Sequence, residues 1–376
     1  MEPLNATVHL QDDRLDCWVG TQNPMTALGL AAGASGLSQD KIFIHNHFVG
    51  GGFGRKSMND ELVHTINVAK AVKRPVKMVW SREQDIQHDR YRPQAAISFK
   101  AALGADGMPT GLEIKTVVGS LLRSLGRDKV EKGVEPPAVE GLVDNPYGIP
   151  HQRVGCILKN THIPVSFWRS VGASQNAFAI ESFVDELAYA AGKDPAQFRR
   201  SLITRPDFLG VLDTLIEKSD WGKPLPKGKG RGIAIHECYG SIVGQTAEVT
   251  VTDLGEVKVE RIVAVVDCGH VVNPKIVEAQ IQGGAIWGLS AALFSEITVK
   301  DGRIAQANYN DFRIAALSET PEIEVHFALS GGEKWGGIGE PGSAPTAPAI
   351  CNAIFAATGK RIRSLPVRNL ATLRQA

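Results

Sequence analysis

The 376-residue chain contains no apolar run near the roughly 18 to 20 residues that cross a bilayer, and residues 1–20 lack the basic and apolar blocks of an export signal. No compartment is therefore assigned from the sequence, cytoplasm and periplasm both staying open. No sign of charge dominates either: 41 Lys plus Arg face 40 Asp plus Glu without a long single-sign run, which argues against a nucleic-acid or anionic-membrane surface. The five cysteines (Cys17, Cys156, Cys238, Cys268, Cys351) form no CxxC pair, so neither a zinc site nor an iron–sulfur cluster can be drawn from them, and their odd number argues against a disulfide framework. GxSxG and HExxH runs are missing, which removes the common hydrolase and zinc-protease signatures. No internal repeat stands out.

What is present fits a globular chain: 43% apolar and 22% charged residues, in a length that favours two domains. The expected fold class is α+β, with mixed sheets and helices. Helices are expected at Pro24–Ser35, Asp60–Val72, Ser174–Ala191, after Asp194, at Pro274–Leu289 and at Pro345–Ala357. Strands are expected at Lys41–Val49, Pro75–Trp80, Ala95–Ala102, Gly111–Val118, Gly232–His236, Gln245–Thr252, Val257–Asp267 and Glu322–Ala328, with hairpins turning at Asp106-Gly107 and Asp301-Gly302. Ser81–Arg92 reads as a charged loop, Arg123–Pro150 as a long surface loop, and Lys218–Gly232 as linker-like. The first domain is taken as residues 1–205 and the second as 206–376.

Two glycine-rich loops carry the chemical interest. GGGFGRKS, Gly50–Ser57, fails as a P-loop because Arg55 separates Gly54 from Lys56, and it fails as a dinucleotide fingerprint because Arg55 stands where the third glycine belongs. What remains is bare main chain at a strand end, able to approach an anion or a metal oxo group, or else serving as a plain turn. WGGIGEPGSAP, Trp335–Pro345, sets one carboxylate, Glu340, among residues too small to shield it, and Pro341 biases it away from helix. In a water-poor cleft such an acid would suit a general base; in open solvent it is an ordinary loop acid. His45 and His47 would alternate on one strand face without a third metal ligand, and His236-Glu237 lacks metalloprotease spacing, so core or surface histidines are the expected reading of all three.

The order of the runs MEPLNA, WVGTQNP, VGGGFGRK, SRE, FWRSVGASQNAFAIESFVDELA, DCGHVVNP and GGIGEP resembles the molybdopterin-binding subunits of the xanthine dehydrogenase and aldehyde oxidase family over essentially the whole chain. The isoquinoline 1-oxidoreductase beta-subunit branch is similar in particular through FWRSVGASQNAFAIESFVDELA and IHECYGSIVGQTAEV. The resemblance implies a molybdenum hydroxylase that inserts a water-derived oxygen into a C–H bond of an N-heteroaromatic or aldehyde. Its catalytic base would be Glu340, deprotonating a hydroxyl ligand of molybdenum. It also implies a cofactor contact through Gln22, backbone donors from Gly51, Gly52, Phe53 and Gly54, and a contribution from Arg169. Arg92 and Val171 would face substrate.

Molybdenum would be held through the sulfurs of molybdopterin, expected as a dinucleotide, and by no protein side chain. Electrons would pass to iron–sulfur clusters on a separate small subunit. Ser57 and Val171 replace the acid and the phenylalanine of purine-oxidising members, which argues against a purine. The family's GQG run and Ser/Thr-rich pterin loops are not found in these residues, so the chain reads as the carboxyl-terminal half of a subunit, with the amino-terminal half as a partner. An aldehyde oxidase of the same family and an inactive fragment serving in assembly are the alternatives.

Overall fold

The computed structural model describes residues 2–126, 133–368 and 370, and the chain divides into two compact units. The first comprises Met1–Arg92, His162–Arg169 and Ile297–Phe312; the second comprises Pro93–Thr161, Ser170–Glu296 and Arg313–Ala376.

The first unit is built on a four-stranded sheet. Asn5–Leu10 pairs antiparallel with both Leu15–Val19 and Val76–Val79, and Leu15–Val19 pairs in parallel with Ile42–Asn46. Alternation sends Ala6, Val8, Leu15, Cys17 and Val19 to one face, where Ala27 and Ala31 of helix Pro24–Ser35 and Leu62 and Ile66 of helix Asp60–Val72 complete a core. Helix Pro24–Ser35 starts where the Asn23 side chain accepts from the Thr26 N–H, carries Pro24 in its first turn and stops at left-handed Gly36.

In the second unit, Lys229–Cys238, Ser241–Val251 and Val257–Asp267 form an antiparallel meander, and Glu322–Phe327 adds in parallel beside Val257–Asp267. Both faces are covered, which explains the near-continuous apolar runs of these strands. Ile233, Ile235, Val263 and Val265 join the core with helices Ala173–Ala190 and Pro206–Lys218. Ala234, Val249 and Ile262 join that with helices Pro274–Leu293 and Thr346–Thr358. Gly232 is bare for a reason: a Cβ there would run into main-chain atoms of Ala349 and Ala353 in the covering helix. A second sheet pairs Ala95–Leu103 antiparallel with Pro109–Val118, itself parallel to His151–Leu158.

The α+β class holds. Helices Pro24–Ser35 and Asp60–Val72 have the expected bounds, and the two hairpins turn at their Asp-Gly pairs. Several expectations change. Ser81–Arg92 contains a helix, Arg82–Gln87, capped by the Ser81 side chain. The region after Asp194 holds two helices, Pro195–Leu202 and Pro206–Lys218, separated where Pro206 can only begin a new one. Strand Ile42–Asn46 ends before His47, so His45 and His47 do not share a strand face. The strands Asn5–Leu10, Leu15–Val19 and His151–Leu158 were not expected at all. Within the long loop Arg123–Pro150, residues 127–132 lie outside the described residues. Among the described residues no helix is long and apolar enough to cross a membrane.

Candidate active site

In the first unit, Gln22 lies on the short connection into helix Pro24–Ser35, and its N–H donates to the Lys56 carbonyl at 3.1 Å. Its side-chain Oε1 accepts the Gly54 N–H at 3.0 Å, so Gln22 and the glycine loop stand together. Because a main-chain N–H can bond only the oxygen end of the amide, Nε2 is left as a donor. Gly51 (φ 139°), Phe53 (φ 51°) and Gly54 (φ 92°) are all left-handed. For Phe53 this is an unfavourable backbone held by its surroundings. A Cβ on Gly52 would strike the Gln22 amide, and one on Gly54 would lie 2.8 Å from Phe167 Cβ.

The two basic residues that follow the loop turn away from it. Arg55 pairs with Asp89 and, at 3.1 Å, with Asp60, and buried Lys56 reaches Glu2 at 2.9 Å. The loop thus offers amides and no free cation. Such a cradle, which any side chain would fill, together with an amide donor beside it, fits an oxygen-bearing metal group held by something other than this chain. Among the described residues no group of three or more His, Cys, Asp or Glu is placed to hold a metal ion.

Arg169 is buried, 6% exposed. The Arg92 guanidinium lies 4.6 Å over the Trp168 ring, and burial holds its pKa down to about 10.

In the second unit, half-buried Glu340 opens the 3₁₀ turn Pro341–Ser343. Its carbonyl lies 2.7 Å from Ser170 Oγ and 3.0 Å from Ser343 Oγ, and the two hydroxyls lie against each other, so that one donates to the carbonyl while the other donates either to the carbonyl or to its neighbour. Gln245 Nε2 holds the Gly342 carbonyl at 2.8 Å and is itself fixed by Thr346. The loop is therefore gripped by its main chain. The Glu340 carboxylate hydrogen-bonds Tyr239; burial, then the charge of Glu340 and this bond, push the phenol well above its usual range. Ser170 (φ 73°) and Val171 (φ 43°) are consecutive left-handed residues, a costly arrangement that the buried Ser170 contacts maintain.

Beside this loop stands Glu140. Its carboxylate accepts the N–H groups of Gly172 and Ala173, and burial first, then the charges of Asp144 and Glu340, raise its pKa to about 7. Glu140, Tyr239 and Ser170 were missed as site residues. The first lies in the stretch read as loop, the second follows a histidine-acid pair that attracted the attention, and the third was visible only as part of the FWRSVGAS run. His236 is buried, packs against Gly141, and is held down to about 4 by burial, so it is a neutral core residue. Glu237 is ion-paired to Arg205 at 2.5 Å and Lys334 at 3.1 Å. His45 pairs with Asp16 at 2.9 Å and stacks on Trp18.

The α+β scaffold that carries these two loops is matched by cofactor-binding domains of known proteins. The sequence matches the molybdopterin cofactor-binding domain family over residues 1–202 and a second molybdopterin cofactor-binding domain family over residues 214–321. It is 34% identical to isoquinoline 1-oxidoreductase subunit beta of Brevundimonas diminuta, over 98% of this chain and 48% of that protein. It is 31% identical to a membrane-bound aldehyde dehydrogenase [pyrroloquinoline-quinone] of Gluconacetobacter polyoxogenes, over 100% of this chain and 52% of that protein. The fold superposes on quinoline 2-oxidoreductase from Pseudomonas putida 86 with a TM-score of 0.85 at 15% identity, covering 100% of this chain and 75% of that one. The chain belongs to the molybdopterin-binding subunits of the xanthine dehydrogenase family. It spans about half the length of the curated relatives it matches, at 48% and 52% of theirs.

Proposed function

We propose that the chain is part of the large subunit of a molybdenum hydroxylase that oxidises an electron-poor carbon of an N-heteroaromatic or an aldehyde with water. The observation that carries this reading is the form of the Glu340 loop: two buried serines and Gln245 fix its main chain, so the loop's position does not depend on the protonation of its carboxylate. A base needs that arrangement, since a carboxylate that also anchored its loop could not change protonation without loosening it.

The bound cofactor, molybdopterin in a dinucleotide form, would supply the two-electron redox chemistry. Gln22 Nε2 and the amides of Gly51, Gly52 and Phe53 would hold its oxygen-bearing end, Gly54 would orient the Gln22 amide through the N–H it gives to Oε1, and Arg169 would assist. Glu340 would accept a proton as water is activated and return it to solvent between turnovers. Arg92, over the Trp168 ring, and Val171 would line the substrate's approach. Val171 and Ser57 offer neither the aromatic face nor the acid suited to a purine. Electrons would leave through iron–sulfur clusters on a small partner subunit, and the remaining half of the large subunit would complete the cofactor's enclosure.

Replacing Glu340 with Gln in the assembled complex is expected to lower kcat by about 10²–10⁴-fold, the usual worth of a general base, with molybdenum content unchanged. Retained turnover would exclude the assignment. Comparing rates on aromatic aldehydes and quinoline-type heterocycles separates the aldehyde oxidase reading, favoured by the name of the second relative, from a heterocycle hydroxylase. Metal analysis of the chain assembled with its partners tests the remaining reading: an inactive assembly fragment would hold no molybdenum.

A further inference from the structure

A loop made largely of glycine has few side chains with which to hold its own shape, and residues 50–56 include three left-handed positions, Gly51, Phe53 and Gly54. Its two ends are joined instead by one carboxylate from the far amino-terminal end of the chain. Glu2 Oε2 accepts the Gly50 N–H at 3.3 Å, and Glu2 Oε1 accepts a hydrogen bond from Lys56 Nζ at 2.9 Å. One oxygen serves each end, so the carboxylate closes the base of the loop.

Glu2 is itself fixed to the sheet. Asn5, the first residue of strand Asn5–Leu10, donates from Nδ2 to the same Oε1 at 2.9 Å and to the Pro3 carbonyl at 2.8 Å. The Trp80 N–H then bonds the Leu4 carbonyl at 2.9 Å, which ties the segment between them to the neighbouring chain. An acid placed in this way by a strand end is a fixed point against which a bare loop can be held.

At the other end of the clasp, the Lys56 carbonyl accepts both the Gln22 N–H at 3.1 Å and the Thr21 hydroxyl at 3.0 Å. Gln22 Oε1 in turn accepts the Gly54 N–H at 3.0 Å. The contacts form a circuit: Glu2 to Gly50 and Lys56, Lys56 to Gln22, and Gln22 back to the loop at Gly54. Within it the Lys56 side chain is 5% exposed, against 34% for Glu2. A cation that deep does not stay in place without its acid, whereas the acid can fall back on water. Loss of Glu2 therefore displaces Lys56, and the carbonyl that places Gln22 moves with it.

We propose that Glu2 and Lys56 are positioning residues for the cofactor: a clasp that sets the spacing between the Gly51, Gly52 and Phe53 amides and the Gln22 Nε2 donor. Both act through the loop and through Gln22, and neither makes the contact itself. This role rests on the reading of the glycine loop as the cradle of the cofactor's oxygen-bearing end.

Hydrogen exchange read by mass spectrometry tests the clasp in the assembled complex, independently of turnover. In E2A, which removes both arms, exchange in the peptide covering residues 50–56 is expected to quicken by about tenfold, the low end for hydrogen bonds to a charged group because this acid is partly exposed. E2Q keeps an oxygen for one arm and should quicken it less. K56M removes the other arm with little change of bulk, and E2A/K56M should go no further than E2A, since the two residues act as one unit. K56R keeps a cation within reach of Glu2 and should stand closer to wild type than K56M. Unchanged exchange in E2A and K56M overturns the proposal, as do effects of the two that simply add, or a K56R no better than K56M. If E2A fails to assemble, E2Q and K56M carry the same test.

Molybdenum retention is the second readout. On dialysis of the assembled enzyme, E2A should lose metal about ten times faster than wild type, in step with the loosened loop. Wild-type retention in E2A, in a complex from which Q22L sheds its molybdenum, overturns the proposal. Failure of the cradle reading looks different: Q22L would then keep its metal as well, even though the loop of E2A exchanges faster.

Discussion

Removing the charge of Glu181 should destabilise the second unit more than any change on its surface. Glu181 and Arg199 are 1% and 0% exposed and pair at 2.9 Å. Three donors converge on the Glu181 carboxylate: the Tyr147 hydroxyl on one oxygen, and Arg199 Nε and the Ile235 N–H on the other. Gln keeps the size and can keep the pair of N–H donors on its oxygen, while Tyr147 turns to accept from the new amide. What E181Q cannot restore is the charge opposite Arg199, whose nearest remaining acid is Asp185 at 3.6 Å, itself shared with Arg361 at 2.6 Å. An unpaired buried charge costs about 3–5 kcal/mol, and the retained hydrogen bonds and Asp185 point to the lower end. Against a typical stability of about 5–15 kcal/mol this is a large loss. R199M should cost a similar amount by stranding Glu181. The double variant E181Q/R199M should fall short of the sum by about 2 kcal/mol, because no charge is then left alone. Guanidinium denaturation followed by tryptophan fluorescence measures all three. Single losses under about 1 kcal/mol that add in the double variant would show that water or relaxation already screens the pair, and would refute the reasoning.

Glu140 makes stability depend on pH with a definite sign. Its pKa rises from the ordinary 4.5 to about 7 on folding, so the folded chain holds the extra proton, and stability is highest below the unfolded value and falls as pH climbs through that window. The loss is on the order of 3 kcal/mol, and E140Q should remove it, so the variant gains on the wild type between pH 5 and 8; denaturation midpoints that move in parallel contradict this. G54A must place a side chain at φ 92° against Phe167, so it should cost about 1–3 kcal/mol and lower molybdenum content in the assembled enzyme, measured by metal analysis. G232A forces helix Thr346–Thr358 off its strand and should lower the melting temperature through an overpacking cost of about 1–3 kcal/mol, without altering pH dependence.

Where local chemistry decides structure, the sequence could be read directly. Asn23-Pro24 with Gly36 delimits one helix, and Asp106-Gly107 and Asp301-Gly302 turn their hairpins. Pairings between distant segments were not legible. The parallel partnerships of Leu15–Val19 with Ile42–Asn46 and of Val257–Asp267 with Glu322–Phe327 depend on packing that no local pattern encodes. The same limit applies to the site. Gln22 and the glycine loop could be linked through family resemblance, and Glu340 stood out by its small neighbours. Glu140 carries no local mark, because its character comes from Asp144, Glu340 and the helix start at Gly172, which only folding assembles. Helix Arg82–Gln87 was hidden by the charge density of its sequence, although Ser81 offered a capping signal.

Because Ser170 and Ser343 hold position 340 by its carbonyl oxygen, the grip on that backbone does not itself depend on which side chain grows from it. Aspartate and glutamine, which keep an oxygen acceptor for Tyr239, could be exchanged there with the main-chain grip unchanged. Rates from such a series would report proton affinity and reach at one point in space, with the architecture held constant.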